Sequence, residues 1–102
     1  MFLGLDLGTS ELKALLLDEQ HAIRATARSA LRISRPQPLW SEQQPGDWWA
    51  AVEDVMAQLA ASHAAELSQL RAIGLSGQMH GAVHLDAPGA VLRPAILWND
   101  GR

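Results

Sequence analysis

The fold of this chain is decided by Leu3-Gly4-Leu5-Asp6-Leu7-Gly8-Thr9-Ser10, with Lys13 just beyond. Residues 1–7 are apolar at nearly every position except Asp6, a pattern typical of a strand that is buried on both faces. A carboxylate at the end of such a strand needs hydrogen-bond donors or a metal as partners. Because Gly8 permits a sharp turn, the stretch predicts a strand that carries one acid into a tight turn.

A second strand, predicted over residues 12–18, would pair back on the first and close a hairpin. Thr9 and Ser10 add hydrogen-bond donors at its turn, and Lys13 adds a positive charge. Such a hairpin can cradle a phosphate group and hold Mg²⁺ through Asp6, with waters between. Gly-Thr-Ser is also ordinary turn chemistry, so the hairpin alone leaves both interpretations open.

The composition excludes several classes of protein. The 102 residues are 48% hydrophobic and 19% charged, which is typical of one globular domain or part of one. With no cysteine, the chain has no disulfide, zinc-thiolate site or thiol nucleophile. The net charge of −3, with scattered basic residues, argues against a nucleic-acid partner. Without a secretory signal or an apolar run that could span a bilayer, we expect a cytoplasmic protein with no membrane partner.

The middle of the chain predicts a strand, a loop and a helix in turn. Residues 22–33 alternate loosely and predict a third strand with one solvated face. Residues 34–46 contain three prolines and predict no regular structure. Apolar residues then recur at helical spacing, which predicts a helix over residues 45–61 that could extend to 67.

The remainder of the chain predicts three further extended segments. Residues 70–76 predict a short buried strand that runs into the turn Gly77-Gln78-Met79-His80-Gly81. Residues 82–86 predict a fifth strand, and residues 91–98 a last extended piece interrupted by Pro94. Because an apolar segment lies directly before the end at Arg102, we expect the chain to be a fragment.

This order of elements predicts an α/β protein with a mixed sheet and the ribonuclease-H-like fold. In that fold the fourth strand lies parallel to the first, joined by a crossover through the helix. The carboxyl ends of both strands would then lie side by side, where ligands of α/β proteins bind. Asp6 and residues 77–81 are therefore expected to face the same cleft.

Several motifs resemble a known family. Asp6-Leu7-Gly8-Thr9 with Lys13 resembles the phosphate-binding hairpin of the actin, hexokinase and Hsp70 superfamily. More specific motifs resemble the xylulokinases among the FGGY carbohydrate kinases: Pro38-Leu39-Trp40-Ser41-Glu42-Gln43, Trp48-Trp49, Gly77-Gln78-Met79-His80-Gly81 and Trp98-Asn99-Asp100-Gly101-Arg102. The chain departs from the family pattern at Glu11, where glycine is common, and at Gln44, where an aspartate usually caps the helix.

The resemblance implies that residues 1–102 are the N-terminal part of domain I of such a kinase, with the second domain absent. It implies ATP-dependent phosphorylation of D-xylulose to D-xylulose 5-phosphate in pentose catabolism, with ATP and Mg²⁺ as cofactors. It also suggests a homodimer. The general base of the family is an aspartate expected beyond Arg102, so we expect the chain alone to be inactive.

The resemblance assigns roles to individual residues. Asp6 would be catalytic, close to Mg²⁺ and the transferred phosphoryl group. The residues next to the nucleotide phosphates would be Gly8, Thr9, Ser10 and Lys13. The residues implied to contact the sugar or wall its cleft are Met79, His80, Trp98, Asn99, Asp100 and Arg102. Read without the resemblance, His80 and Asp100 are also typical of turn residues.

Three alternative functions come from other classes or other substrates. A ribonuclease-H-type nuclease needs several carboxylates around two metals, but the fourth strand ends in Ser76-Gly77-Gln78, where an acid is required. A non-catalytic, chaperone-like ATP-binding module would not explain the sugar-kinase motif at Met79-His80. Another FGGY kinase, acting on ribulose, fuculose or gluconate, differs only in its sugar and is the main alternative.

Overall fold

The first 30 residues form three antiparallel strands, two from largely apolar runs and one from a loosely alternating stretch. The computed structural model describes all 102 residues. The elements, in chain order, are β1 (Phe2–Leu7), β2 (Glu11–Leu17), β3 (Ile23–Ala30), β4 (Glu42–Gln43), α1 (Pro45–Leu67), β5 (Ala72–Gly77) and β6 (Ala95–Ile96). α1 is not long and apolar enough to cross a membrane.

The main sheet has the strand order β3-β2-β1-β5, and β5 lies parallel to β1. This confirms the predicted crossover and the mixed sheet. The register pairs Asp6 with Ser76 and Leu7 with Gly77, so both strands end at the same edge. The predicted meeting of Asp6 and the turn after β5 is therefore confirmed.

The core lies between α1 and one face of β2 and β3. Its buried side chains are Leu3, Leu12, Ala14, Ala27, Leu31, Ala51, Val55 and Leu59. The helix reaches the outer limit of its predicted range, with a local break at His63, where φ is −136°. Its residues Ala51, Val55 and Leu59 follow the helical period and face the sheet, which confirms the amphipathic pattern.

The predicted burial of β1 and β5 is wrong. All six residues of β5 are exposed, and Leu75 is 79% exposed. In β1 only Leu3 is buried, and Asp6 is exposed. An apolar sequence shows that a strand suits burial, but burial also requires an element that covers it, and α1 packs on β2 and β3.

Two further predictions of secondary structure are wrong. Residues 34–46 are not wholly irregular, because Glu42–Gln43 forms β4 and pairs antiparallel with β6. Residues 82–86 do not form a strand: only single bridges occur, from Ala82 to Ile96 and from Leu85 to Val91. Short segments of this kind obtain their hydrogen bonds from partners distant in sequence, and local patterns do not reveal those partners.

Candidate functional site

A cavity of about 360 Å³ lies at the carboxyl edge of β1 and β5. It is lined by Asp6, Gly8, Thr9, Gly77, Gln78, Met79 and Trp98. The parallel pairing of the two strands brings the hairpin turn and the turn after β5 to its two sides. Residues from both predicted motifs, and from the end of the chain, thus meet in one place.

The two turns approach each other closely because each contains glycine. The Gly8 N–H donates to the Glu11 carbonyl at 3.0 Å and closes the hairpin. A Cβ atom on Gly8 would lie 3.0 Å from that oxygen, and one on Gly77 would lie 3.2 Å from the Leu7 carbonyl. Both positions therefore exclude larger residues unless the backbone shifts.

Asp6 carries the one carboxylate that lines this cavity. It is exposed, and its side chain takes part in no hydrogen bond or ion pair of the chain. No group of three or more histidines and acids could hold a metal ion. One free carboxylate fits Mg²⁺ held through water and phosphate oxygens, and it does not fit a two-metal nuclease site.

The charged residues of the hairpin lie to one side of the cavity. Lys13 is the cross-strand partner of Asp6 but does not line this cavity. The Glu11 carboxylate lies 3.6 Å from the Lys13 Nζ and 3.6 Å from the Arg28 guanidinium. The acid that departs from the family pattern is thus paired with two cations, which offsets its repulsion of a phosphate. Ser10 is exposed at the turn.

The turn Gly77–Gly81 follows β5 and is held by a bridge to β6. Met79 is exposed and lines the cavity, whereas His80 lies next to it without lining it. His80 has a φ of 58°, in the left-handed region that residues other than glycine seldom adopt. Two residues later, Ala82 exchanges backbone hydrogen bonds with Ile96 at 2.8 and 3.0 Å. This bridge holds the turn beside the segment that carries Trp98.

Trp98 lines the same cavity as Met79 and is 55% exposed. Its indole Nε1–H donates to the Thr9 Oγ1 at 2.9 Å. A residue near the end of the chain is thereby bonded to the hairpin at its start. Because the N–H is already bonded, the exposed aromatic face is the part of Trp98 that suits contact with a ligand, through the ligand's apolar surface.

Residues 1–102 match the N-terminal domain of the FGGY family of carbohydrate kinases over their whole length. The chain belongs to this family. The match confirms the resemblance inferred from the motifs.

Individual FGGY relatives and a solved structure are also similar to the chain. The xylulose kinase of Escherichia coli K12 is 53% identical over 102 residues, which is 100% of this chain and 21% of that protein. The xylulose kinase of Klebsiella pneumoniae is 52% identical over the same shares. The crystal structure of a xyloylose kinase from Brucella ovis has a TM-score of 0.95 and 55% identity, covering 98% of this chain and 21% of that one. The chain therefore spans about a fifth of the length of these relatives.

The charged residues of the last FGGY motif lie outside the cavity. The Asp100 carboxylate is 2% exposed and accepts hydrogen bonds from the Ser41 N–H at 2.7 Å and the Arg102 guanidinium at 2.6 Å. Arg102 also donates to Glu42 at 2.7 Å and lies 3.7 Å from the Trp40 ring centroid. Asn99 lines a separate cavity beside Trp40. Sugar contacts by Asn99, Asp100 and Arg102 stay predictions.

The pairing between Asp100 and Arg102 changes the ionisation of both groups. Hydrogen bonds from the Arg102 guanidinium hold the pKa of Asp100 well below its usual range. The same bonds raise the pKa of Arg102 further above its usual value. Both groups are therefore charged at neutral pH, where they act as a fixed ion pair.

Sequence reasoning missed two glutamines at the site. Gln43 is 2% exposed; its amide donates to the Thr9 carbonyl and accepts from the Trp48 indole N–H at 2.9 Å. Gln78 lines the cavity and accepts from the Thr9 hydroxyl at 3.1 Å. Both lie within quoted motifs, and Gln78 follows a strand that ends at the ligand-binding edge. That position was the one signal that could have identified it.

Proposed function

We propose that this chain supplies the phosphate hairpin and part of the sugar site of a kinase that phosphorylates D-xylulose to D-xylulose 5-phosphate with ATP. The observation that carries the proposal is the single cavity in which Asp6, the hairpin turn, Met79 and Trp98 meet. Similarity to xylulose kinases, at 53%, 52% and 43% identity, supports the choice of sugar. The roles below apply to the longer protein.

The hairpin would bind the nucleotide phosphates. The backbone N–H groups of Thr9 and Ser10, the exposed Ser10 hydroxyl and the Lys13 ammonium group are donors that suit phosphate oxygens. The free Asp6 carboxylate would hold Mg²⁺ through water. Bound Mg²⁺ supplies positive charge that offsets the negative charge of the phosphates during transfer. Asp6 would act by holding this charge in place, and not by removing a proton from the sugar.

The opposite wall would bind the sugar. A sugar offers many hydroxyl groups, and a neutral imidazole such as that of His80 can both donate and accept hydrogen bonds. Met79 and Trp98 are exposed on the same side and offer apolar surface for the carbon skeleton. The base that accepts the proton of the sugar hydroxyl is expected beyond Arg102.

A second candidate is another FGGY kinase, acting on ribulose, fuculose or gluconate. It would use the same hairpin and the same Asp6, so the phosphate side of the cavity does not distinguish it. Met79 and His80 are the pair that would contact the sugar, so the choice between the two candidates depends on the substrate test.

The test is ADP release by the gene product read through beyond Arg102, measured with D-xylulose, L-ribulose, glycerol and no sugar. We expect release that depends on D-xylulose, is lost in Asp6→Ala, and falls at least about tenfold in kcat/KM in His80→Ala, the effect of one lost hydrogen bond to substrate. Glu53→Ala is the matched control, because Glu53 is exposed on α1 and does not line the cavity. ADP release with L-ribulose alone would support the assignment as a kinase but contradict D-xylulose as its substrate. No release with any sugar would overturn the proposal.

A further inference from the structure

Three charged residues form a row across β1, β2 and β3. The register places Lys13 opposite Asp6 on one side and opposite Arg28 on the other. Their neighbours along the strands, Ala14 and Ala27, belong to the core under α1, so the row lies on the opposite face of the sheet. All three charged residues line a cavity of about 460 Å³ on that face. Asp6 also lines the candidate site, and the row therefore leads away from it.

Glu11 holds both cations of this row. The Lys13 Nζ and the Arg28 guanidinium each lie 3.6 Å from the same Glu11 oxygen, Oε1. Two like charges directly opposite each other on paired strands are unfavourable, and the carboxylate offsets that repulsion. The Lys13 and Arg28 side chains are 52% and 66% exposed, so neither is locked in this arrangement. Glu11 thus has two mobile partners that share one oxygen.

Glu11 also lies beside the part of the hairpin that would bind phosphate. Its carbonyl accepts the Gly8 N–H at 3.0 Å and closes the turn. A phosphate oxygen bonded to the Lys13 ammonium at about 2.8 Å would lie within about 7 Å of the Glu11 carboxylate. At that distance the carboxylate repels the anion, and it also attracts the ammonium group that the anion needs. An acid at position 11 is therefore unfavourable for nucleotide unless another cation offsets it.

We propose that Arg28 is a positioning residue for the nucleotide, and that it acts through Glu11 on Lys13. Because Arg28 is a second partner for Glu11 Oε1, Lys13 can turn to a phosphate without leaving the carboxylate unpaired. Arg28 does not line the cavity beside Met79 and does not touch the nucleotide. This inference rests on the proposed function, since it takes the hairpin as the phosphate site.

The test measures the Kd of Mg·ATP by titration calorimetry on the gene product read through beyond Arg102. Arg28→Gln should raise this Kd about three- to tenfold, the effect of one uncompensated charge near a multivalent anion in a solvated site. Glu11→Gln should lower it about threefold, because it removes the repulsion and releases Lys13. Arg28→Lys keeps the charge, so its Kd should stay within about twofold of the wild type.

The double variant decides whether Arg28 acts through Glu11. When Glu11 is already glutamine, adding Arg28→Gln should change the Kd less than about twofold, since no carboxylate is left to compete for Lys13. The matched control is Arg24→Gln, which removes an equal charge from β3 at an exposed residue that pairs with Asp18 and does not line the cavity of the row. Its Kd should change less than about twofold. An equal effect of Arg28→Gln in both backgrounds, or an equal effect of Arg24→Gln, overturns the inference.

The readout separates this inference from the proposed function. If the variants change the Kd of Mg·ATP as expected but no sugar supports ADP release, the role of Arg28 stands and the sugar kinase is what fails. If D-xylulose supports release, Arg28→Gln should raise the KM for ATP and leave the KM for D-xylulose unchanged. A gene product that does not bind Mg·ATP at all would overturn both.

Discussion

Glu42 and Gln43 are neighbours on β4, both are buried, and they enter two different polar networks. The Glu42 carboxylate binds the guanidinium groups of Arg93 and Arg102, each at 2.7 Å. Gln43 binds Trp48, Gln78 and the Thr9 carbonyl without any charged partner. The charged network closes on itself beside Trp40, whereas the neutral one ends in the cavity. The difference teaches that two adjacent residues of one strand can serve stability on one side and a ligand site on the other.

Replacing Glu42 should have the largest effect on stability. The carboxylate side chain is 7% exposed and faces two cations. Glu42→Leu leaves Arg93 without a carboxylate partner and Arg102 with Asp100 alone. We expect a loss of about 3 kcal/mol in the free energy of unfolding, the lower end for a broken buried pair because Arg93 is partly solvated. Urea unfolding of the chain measures this loss. Glu53→Leu, at an exposed position of α1, should cost far less; equal losses would mean that the network does not stabilise the fold.

Replacing the next residue, Gln43, by leucine should lower the free energy of unfolding by less. Gln43→Leu leaves the Trp48 N–H, the Gln78 amide and the Thr9 carbonyl without a bond, and we expect a loss of about 2 kcal/mol, because neutral groups left without partners cost less than charged ones. Urea unfolding at two salt concentrations separates the two networks. The loss in Gln43→Leu should be independent of salt, whereas the loss in Glu42→Leu should shrink as salt rises. If the stability loss in Gln43→Leu also depended on salt, the two networks could not be distinguished as charged and neutral.

Acidification should weaken the charged network alone. The pKa of Asp100 is lower in the folded chain than in the unfolded one, mainly through its hydrogen bonds with Arg102. Below about pH 4, the ordinary aspartate value, the unfolded chain binds a proton first, so stability from this pair is present above that pH and is lost as the pH falls further. The thermal midpoint of Asp100→Asn should therefore converge with that of the wild type at low pH. The difference in thermal midpoint between Gln43→Leu and the wild type should persist over the same pH range. If these two midpoints also converged, the acid effect could not be assigned to the charged network.

The architecture could be predicted from the sequence because it depends on local rules. Apolar runs predict β1 and β2, and loose alternation predicts β3. Pro45 and the apolar period predict α1, and the handed crossover places β5 parallel to β1. The same rules predicted that Asp6 and the Gly77–Gly81 turn lie at one edge of the sheet.

The two networks could not be predicted, since they depend on contacts between distant residues. Gln43 and Gln78 are neutral, follow no period, and are 35 residues apart. β4 exists only through its pairing with β6, and Asp100 is enclosed only because the end of the chain runs along residues 39–43. A local pattern specifies that a residue suits a buried or polar place, but only the tertiary structure specifies its partner.

Gln44 follows Glu42 and Gln43 directly, but its side chain belongs to neither network. Its replacement has the smallest predicted effect on stability. Gln44 is the N-cap of α1, has an extended backbone with φ −79° and ψ 120°, and makes no side-chain capping bond. Its carbonyl already accepts the Asp47 N–H at 3.0 Å, so the backbone is in place for a cap and only the side chain is unsuited. Gln44→Asp should raise the free energy of unfolding by about 1 kcal/mol, and Gln44→Ser by a similar amount without added charge. Urea midpoints of both variants, with Gln44→Leu as the control that adds no cap, measure the gain. A gain in Gln44→Asp alone would assign it to the helix dipole, and no gain in either variant would show that the first turn of α1 is already satisfied by water.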